Sequence, residues 1–200
     1  MATLHLGFLA SHGGSNMQAI IDACKSGRLD ANPCVAISNN SDSMALQRAK
    51  NEGIPHYHIS VLTHPGLRED KEILRVLRHH GVDTVILAGY MKKLGSVSLR
   101  AYRGRILNIH PALLPKFGGK DMYGKRVHEA VLAAGEKVTG VTIHIVDERY
   151  DTGPIIAQCQ VPVWEGDTAD SLAERVLKHE HVLYAETLQK IADGRIVLPG

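Results

Sequence analysis

Asn108 and His110 stand two apart in Asn108-Ile109-His110-Pro111, so on an extended backbone both side chains point to one face. An amide and an imidazole side by side can polarise a carbonyl and stabilise the oxyanion that forms when it is attacked. Pro111 restricts its predecessor and holds His110 extended at the strand end. A strand-end histidine satisfied by backbone groups fits the same spacing equally well. A carboxylate beside His110 would raise the imidazole pKa and fix the ring's orientation. Asp147, Glu148 and Asp151 are the candidates in Asp147-Glu148-Arg149-Tyr150-Asp151-Thr152-Gly153, and spacing alone does not choose among them.

A different chemistry belongs to residues 11–16, where an apolar strand runs into Gly13-Gly14-Ser15-Asn16 ahead of a helical pattern. Unpaired backbone N–H groups and the helix dipole make such a start an anion site. The pattern is not Gly-x-Gly-x-x-Gly, and no acidic residue ends the second strand to hold a ribose diol. A phosphate monoester therefore fits better than a dinucleotide. A plain tight turn, with Ser15 or Asn16 as helix cap, is the competing reading.

The elements that must position these residues follow from hydrophobic period. Residues 3–10 read as a buried strand, followed by a helix carrying Met17, Ile20, Ile21 and Cys24 that stops at Gly27. Further strands are expected at 34–37, 56–59 and 83–88, with helices over 43–52 and from Leu67 to about Gly81. That βαβ rhythm with continuous apolar strands predicts a parallel sheet covered by helices on both faces. In the second half, 105–108 is a short strand entering a proline- and glycine-fixed loop, and 127–134 is a helix. Residues 138–146 and 155–163 alternate and suggest an added antiparallel pair. A long amphipathic helix covers 168–191 with Asp167 as candidate cap. The expected fold class is α/β, a Rossmann-like, mostly parallel sheet with an antiparallel C-terminal strand pair.

Composition narrows the setting. The 200 residues are 44% hydrophobic and 22% charged, which excludes a disordered chain. No apolar run approaches the ~20 residues of a membrane span, and the N-terminus has no basic region of the kind that opens a signal peptide. Lys and Arg number 23 against 21 Asp and Glu, a formal +2 that supplies no general attraction to nucleic acid. Three scattered cysteines, Cys24, Cys34 and Cys159, form no disulfide framework or zinc cage; they are expected as reduced packing residues in a cytoplasm. Of the twelve histidines, His56 and His58, His79 and His80, and His179 and His181 are paired, but no third ligand stands at a recognised metal spacing. His79 and His80 are expected to face water at a helix end.

Four segments occur in order: residues 14–20 (GSNMQAI), 87–91 (LAGYM), 107–116 (LNIHPALLPK) and 151–156 (DTGPII). Together they resemble the N10-formyltetrahydrofolate transferase family over about 6–194, and the Gly-Ser-Asn loop narrows the resemblance to its phosphoribosylglycinamide-formylating branch. The resemblance implies one formyltransferase domain over 1–200, with the ribonucleotide phosphate held by about 1–100 and catalysis and folate by about 101–200. It implies a catalytic set of Asn108, His110 and Asp151 with His144 close by, and a ribonucleotide site at Gly14, Ser15, Asn16 and Glu180. Folate would lie between Met91, Lys92, Lys93 and Leu94, through backbone groups, and Asp147, Glu148, Arg149, Tyr150 and Asp151, with Asn108 at its reacting end. The arginine often found near Gly66 is displaced, and Arg68 stands as its substitute.

The implied reaction is formyl transfer from 10-formyltetrahydrofolate, a co-substrate, to the glycine amine of 5-phosphoribosylglycinamide, without a metal. In it His110, kept protonated by Asp151, and Asn108 would hydrogen-bond the oxyanion. The resemblance carries expectations of small-molecule partners only, no nucleic acid or membrane, and a monomer or homodimer. Relatives acting on aminoacyl-tRNA or deformylating folate carry further domains, which these residues are not expected to include. A silent binding module for phosphorylated sugars would keep residues 14–16 but could lose Asn108, His110 or Asp151; all are present.

Overall fold

The computed structural model describes residues 3–199. Its strands are β1 (Leu4–Leu9), β2 (Ala31–Ser38), β3 (His56–His58), β4 (Thr84–Leu87), β5 (Ile106–His110), β6 (Val138–Ile145) and β7 (Ile155–Pro162). They form one seven-stranded sheet in the order β3-β2-β1-β4-β5-β6-β7. The first five strands are parallel, and β6 runs antiparallel to both β5 and β7. The mostly parallel sheet with an antiparallel C-terminal pair is the architecture expected from the sequence. The chain winds from β1 to β3 in one direction and resumes with β4 on the other side of β1. The carboxyl ends of β1 and β4 therefore flank a crevice at the switch point, where open α/β sheets take ligands.

The helices are α1 (Ser15–Lys25), α2 (Met44–Asn51), α3 (Leu67–His79), α4 (Ser96–Ala101), α5 (Lys125–Ala133) and α6 (Ala169–Ala192). Two buried apolar clusters form the core. One joins Leu6, Phe8, Met17 and Ile20 to Tyr184 and Leu188; the other joins Leu9, Val35 and Ile37 to Ile73, Leu77 and Tyr102. Successive residues of β1 divide between the two, as a strand buried on both faces requires. Tyr184 is fully buried, and its hydroxyl donates to the Leu107 carbonyl at 2.9 Å, fastening α6 against β5. Among the described residues no helix is long and apolar enough to cross a membrane.

Local differences from the sequence reading have physical causes. Thr168, not Asp167, caps α6: its hydroxyl accepts from Ser171 N–H, and the Ser171 hydroxyl answers the Thr168 N–H. Asp167 is held instead in a bidentate pair with Arg175, both contacts at 2.7 Å. His79 is exposed as expected, but His80 is half-buried and pairs with the Tyr57 hydroxyl at 2.9 Å. Helix α4 has no apolar period of its own and was not foreseen. It is started by a distant group: the buried Asp70 carboxylate of α3 accepts from Val97 N–H at 2.7 Å and Ser98 N–H at 3.1 Å. A carboxylate at a helix start meets both the unpaired donors and the dipole. Asp70→Asn turns an N–H₂ toward those donors, so it is expected to destabilise the fold by about 1–3 kcal/mol. Urea denaturation measures this, and an unchanged midpoint would remove the cap.

Candidate active site

The carboxyl ends of β4, β5 and the facing end of β6 open into a cavity of about 410 Å³. Asn108, His110, His144 and Asp151 line it, with Asn16 and Glu180 toward the α1 side. Register accounts for the first three. In the β5–β6 pair Asn108 lies opposite His144, and His110 opposite Thr142, so one face of the pair carries the amide and both rings.

Hydrogen bonds fix both tautomers. His110 Nε2 donates to the Phe117 carbonyl at 2.8 Å, leaving Nδ1 toward Asp151 Oδ2 at 3.6 Å. His144 Nδ1 donates to the Ile145 carbonyl at 3.0 Å, so Nε2 meets the Asn108 amide nitrogen at 3.1 Å and Asp151 Oδ1 at 3.4 Å. Asp151 also accepts from Gly119 N–H at 2.9 Å. The Gly119 N–H therefore holds Oδ2, while the two ring nitrogens stand ready to donate to the carboxylate on protonation; the side chain is 11% exposed.

The three acidic candidates of this loop separate here. Asp147 folds the loop, accepting from Arg149 N–H and the Thr152 hydroxyl, while Glu148 is exposed and outside the cavity lining. Asp151 turns inward, with a left-handed φ of 55°. The loop after β5 comes down on it: a Cβ at Gly118 would strike Leu114 and press on Asp151 Cβ at 3.2 Å. That loop is pinned to β6 by Thr142, whose hydroxyl donates to Ala112 O and accepts from Leu114 N–H.

Electrostatics correct one expectation. Burial pushes the His110 pKa down, and the upward pull of Asp151 and of the Phe117 hydrogen bond does not offset it. His110 therefore rests below its ordinary value of 6.5 instead of above it. For Asp151, burial alone would raise the carboxyl, but the two imidazoles, which donate to it and carry charge when protonated, and the Gly119 N–H hold it low. Burial raises Glu180, which accepts from Asn16 Nδ2 at 2.6 Å.

The α1 start is organised as the sequence suggests, without a side-chain cap. Gly14 is the cap residue, with left-handed φ 64° and ψ 28°, and no side chain bonds the first turn. A Cβ there would meet Ala45 Cβ at 2.8 Å. The first backbone bond is Gln18 N–H to Gly14 O, so the N–H groups of Ser15, Asn16 and Met17 keep no intrahelical partner. The preceding carbonyls are drawn off toward α2: His12 O accepts from Ala45 N–H, and Gly13 O from Arg48 Nε, both at 2.9 Å. The first-turn donors are thus left without backbone partners while the preceding carbonyls are drawn to α2.

Met91, Lys92, Lys93 and Leu94 form one wall of the cavity, and Asp147, Arg149 and Tyr150 another, with Lys93 Nζ 5.8 Å from the Tyr150 ring. The Met91 N–H is already committed, donating to Ser11 Oγ at 2.7 Å. It is not one of the backbone groups left for a ligand. Gly14 and Ser15 lie outside the lining, at its α1 edge. Arg68 is exposed on α3 and also outside it; no role follows from its position. Sequence reasoning missed the roof from Gly119 to Gly124, with Met122 and Tyr123, and also Tyr90. Gly118, Gly119 and Gly124 were its only local signal, and the left-handed φ of Phe117 and Asp121 appears only in the structure. Arg48 was missed too, being one cation of an ordinary helix. Cys24, Cys34 and Cys159 are free thiols, with Cys24 pushed up to about 11 by burial, consistent with inert packing.

A doubly wound sheet with a largely apolar cleft and a few convergent polar groups at the switch point is the arrangement of a small-ligand enzyme. Residues 5–188 match the family model described as Formyl transferase. The chain is 44% identical over 198 residues to the chloroplastic phosphoribosylglycinamide formyltransferase of Vigna unguiculata, covering 96% of itself but 62% of that protein. It is 38% identical to the Escherichia coli phosphoribosylglycinamide formyltransferase, covering 94% of itself and 87% of the relative. The crystal structure of glycinamide ribonucleotide transformylase 1 from Symbiobacterium toebii superposes with a TM-score of 0.92 at 40% identity, covering 99% and 92% of the two chains. This chain belongs to the formyl transferase family.

The lowered His110 and Asp151 values make acid unfolding the sensitive direction. The stability each contributes is present above its unfolded value and lost as pH falls through the folded one. In a nuclear magnetic resonance titration His110 is expected to titrate below 6.5, and Asp151→Asn, which removes the upward pull, to lower the midpoint further. A midpoint that stays or rises in the variant breaks the proposed link between the two side chains.

Proposed function

We propose that the chain transfers the formyl group of 10-formyltetrahydrofolate to the glycine amine of 5-phosphoribosylglycinamide. The observation that carries this reading is the convergence of Asn108, His110, His144 and Asp151 in one cavity. That cavity lies between an uncapped helix start and the Met91–Leu94 wall. Relatives named for this activity, at 38% and 44% identity over nearly the whole chain, support it.

The phosphate monoester sits on the Ser15 and Asn16 N–H groups of α1, where hydrogen bonds and dipole favour it. Glu180, whose Oε2 is bound by Asn16, presents its other oxygen as an acceptor for ribose hydroxyls. Folate occupies the apolar space between Leu87, Leu94 and Val146, with its formyl group toward Asn108.

The glycine amine adds to the formyl carbon, and the carbonyl electron pair moves onto oxygen. Asn108 donates to that oxyanion through the amide hydrogen not used on His144. His110 begins neutral and takes the excess amine proton at Nδ1; Asp151 stabilises the imidazolium so formed. As the carbon–N10 bond breaks, N10 keeps the electron pair and receives that proton from His110. Formyl-ribonucleotide and tetrahydrofolate leave, and His110 is neutral again. Asp151 therefore acts on the protonated intermediate and does not keep the resting ring charged. The cycle as written needs neither a metal nor a covalent enzyme intermediate.

A formyl-transfer assay with the purified chain and both substrates tests this directly. Asn108→Ala removes an oxyanion donor and is expected to lower kcat by about 10²–10³-fold with small changes in KM. Because neutral His110 is the reactive form, kcat should rise with pH through the His110 midpoint. No turnover by the intact chain, or full turnover by both Asn108→Ala and His110→Ala, would defeat the reading.

A further inference from the structure

Ser11 belongs to neither substrate site as described, yet it is 1% exposed and every one of its polar groups is bound. Its N–H donates to Gly89 O at 3.0 Å, and its Oγ accepts from Met91 N–H at 2.7 Å. A hydroxyl has a single proton, and this one goes to Asn39 Oδ1 at 2.6 Å. Asn39 Nδ2 donates to Asn40 Oδ1 at 3.1 Å, and Asn40 Nδ2 donates back to Ser11 O at 2.6 Å. Ser11, Asn39 and Asn40 thus close a ring, through the Ser11 carbonyl, that forces both amide orientations; Asn40 Nδ2 also lies 3.5 Å from His12 Nδ1. Ser38 Oγ accepts from Asn40 N–H at 3.1 Å and ties the ring to the end of β2.

We propose that Ser11, locked by Asn39 and Asn40, is the positioning residue that sets the register between the phosphate-binding start of α1 and the Met91–Leu94 wall of the folate pocket. The inference rests on the formyl-transfer reading above. Ser11 lies three residues before Gly14, and its hydroxyl holds the first amide of the opposite wall. The attacking amine and the formyl carbon belong to different molecules, each anchored at one of these segments. Their approach therefore depends on a distance that Ser11 fixes, and misplacement by about 1 Å can cost 10²-fold in rate. Nothing in a ligand needs to touch Ser11 for this to hold.

The test is Ser11→Ala, which leaves the Met91 N–H and Asn39 Oδ1 unpaired without adding bulk. Binary dissociation constants are measured by calorimetry with tetrahydrofolate and with 5-phosphoribosylglycinamide, and kcat is measured with both substrates saturating. Tetrahydrofolate binding is expected to weaken about tenfold, the scale of one lost hydrogen bond. Ribonucleotide binding should stay within about twofold, because α1 keeps its donors, and kcat should fall by about tenfold or more. A Ser11 that serves only the fold would lower Tm and leave all three quantities unchanged in the folded protein; that result overturns the proposal. Should Ser11→Ala not fold, Asn39→Ala carries the test. It keeps the Met91 bond but frees the hydroxyl to rotate, and the same pattern is expected at smaller size. Wild-type protein that binds neither compound defeats the functional reading itself, whereas a binding wild type with an unaltered variant defeats only the role of Ser11.

Discussion

A carboxylate withdrawn from water must be compensated by the groups around it, or it takes up a proton. Asp151 is in that position, and this end of the cavity is arranged around it. Gly119 N–H, His144 Nε2 and His110 Nδ1 surround its two oxygens. Each of these is placed by a different element: the loop after β5, the antiparallel strand β6, and β5 itself. The antiparallel C-terminal pair is what allows this. A further parallel strand would need a crossover and would not set His144 directly opposite Asn108.

The same burial sets the resting state of His110. Opposing influences act on the ring: desolvation is the largest and lowers its pKa, as does His144, while Asp151 and the Phe117 hydrogen bond raise it. A ring that rests neutral is able to accept a proton, and a carboxylate beside it stabilises the charged state once the proton arrives. The proposed transfer, in which one group takes up and returns a proton, calls for that asymmetry. A permanently protonated ring would donate to the oxyanion but could not relieve the attacking amine.

At the other end of the crevice the chain relies on backbone. The α1 start has no side-chain cap, and its preceding carbonyls are held by Ala45 N–H and Arg48 of α2. Asn16 Nδ2 on Glu180 joins this end to α6, and Ser11 joins it to the Met91 wall. Short polar bridges thus join the two halves of the cavity above the apolar core they share.

The strand and helix order, the parallel sheet with its antiparallel addition, and the pairing of Asn108 with His110 on one strand face were legible in the sequence. They follow from hydrophobic period and from the two-residue repeat of a strand, which are local. The glycine-rich turn before α1 was legible for the same reason, since backbone donors at a helix start depend on that segment alone. What escaped were properties created by distance. Helix α4 exists because Asp70, more than twenty residues earlier in the chain, caps it. Asp151 differs from Asp147 only in the direction the folded loop gives it, one carboxylate closing the loop and the other turned onto two rings. The sign of the His110 shift depends on how completely the fold removes water from the ring, and a charge partner named in a sequence does not reveal that. Local pattern thus determined which side chains were available and on which element each stood. Burial and long-range hydrogen bonding, which only the tertiary structure supplies, decided which of them meet and in what protonation state.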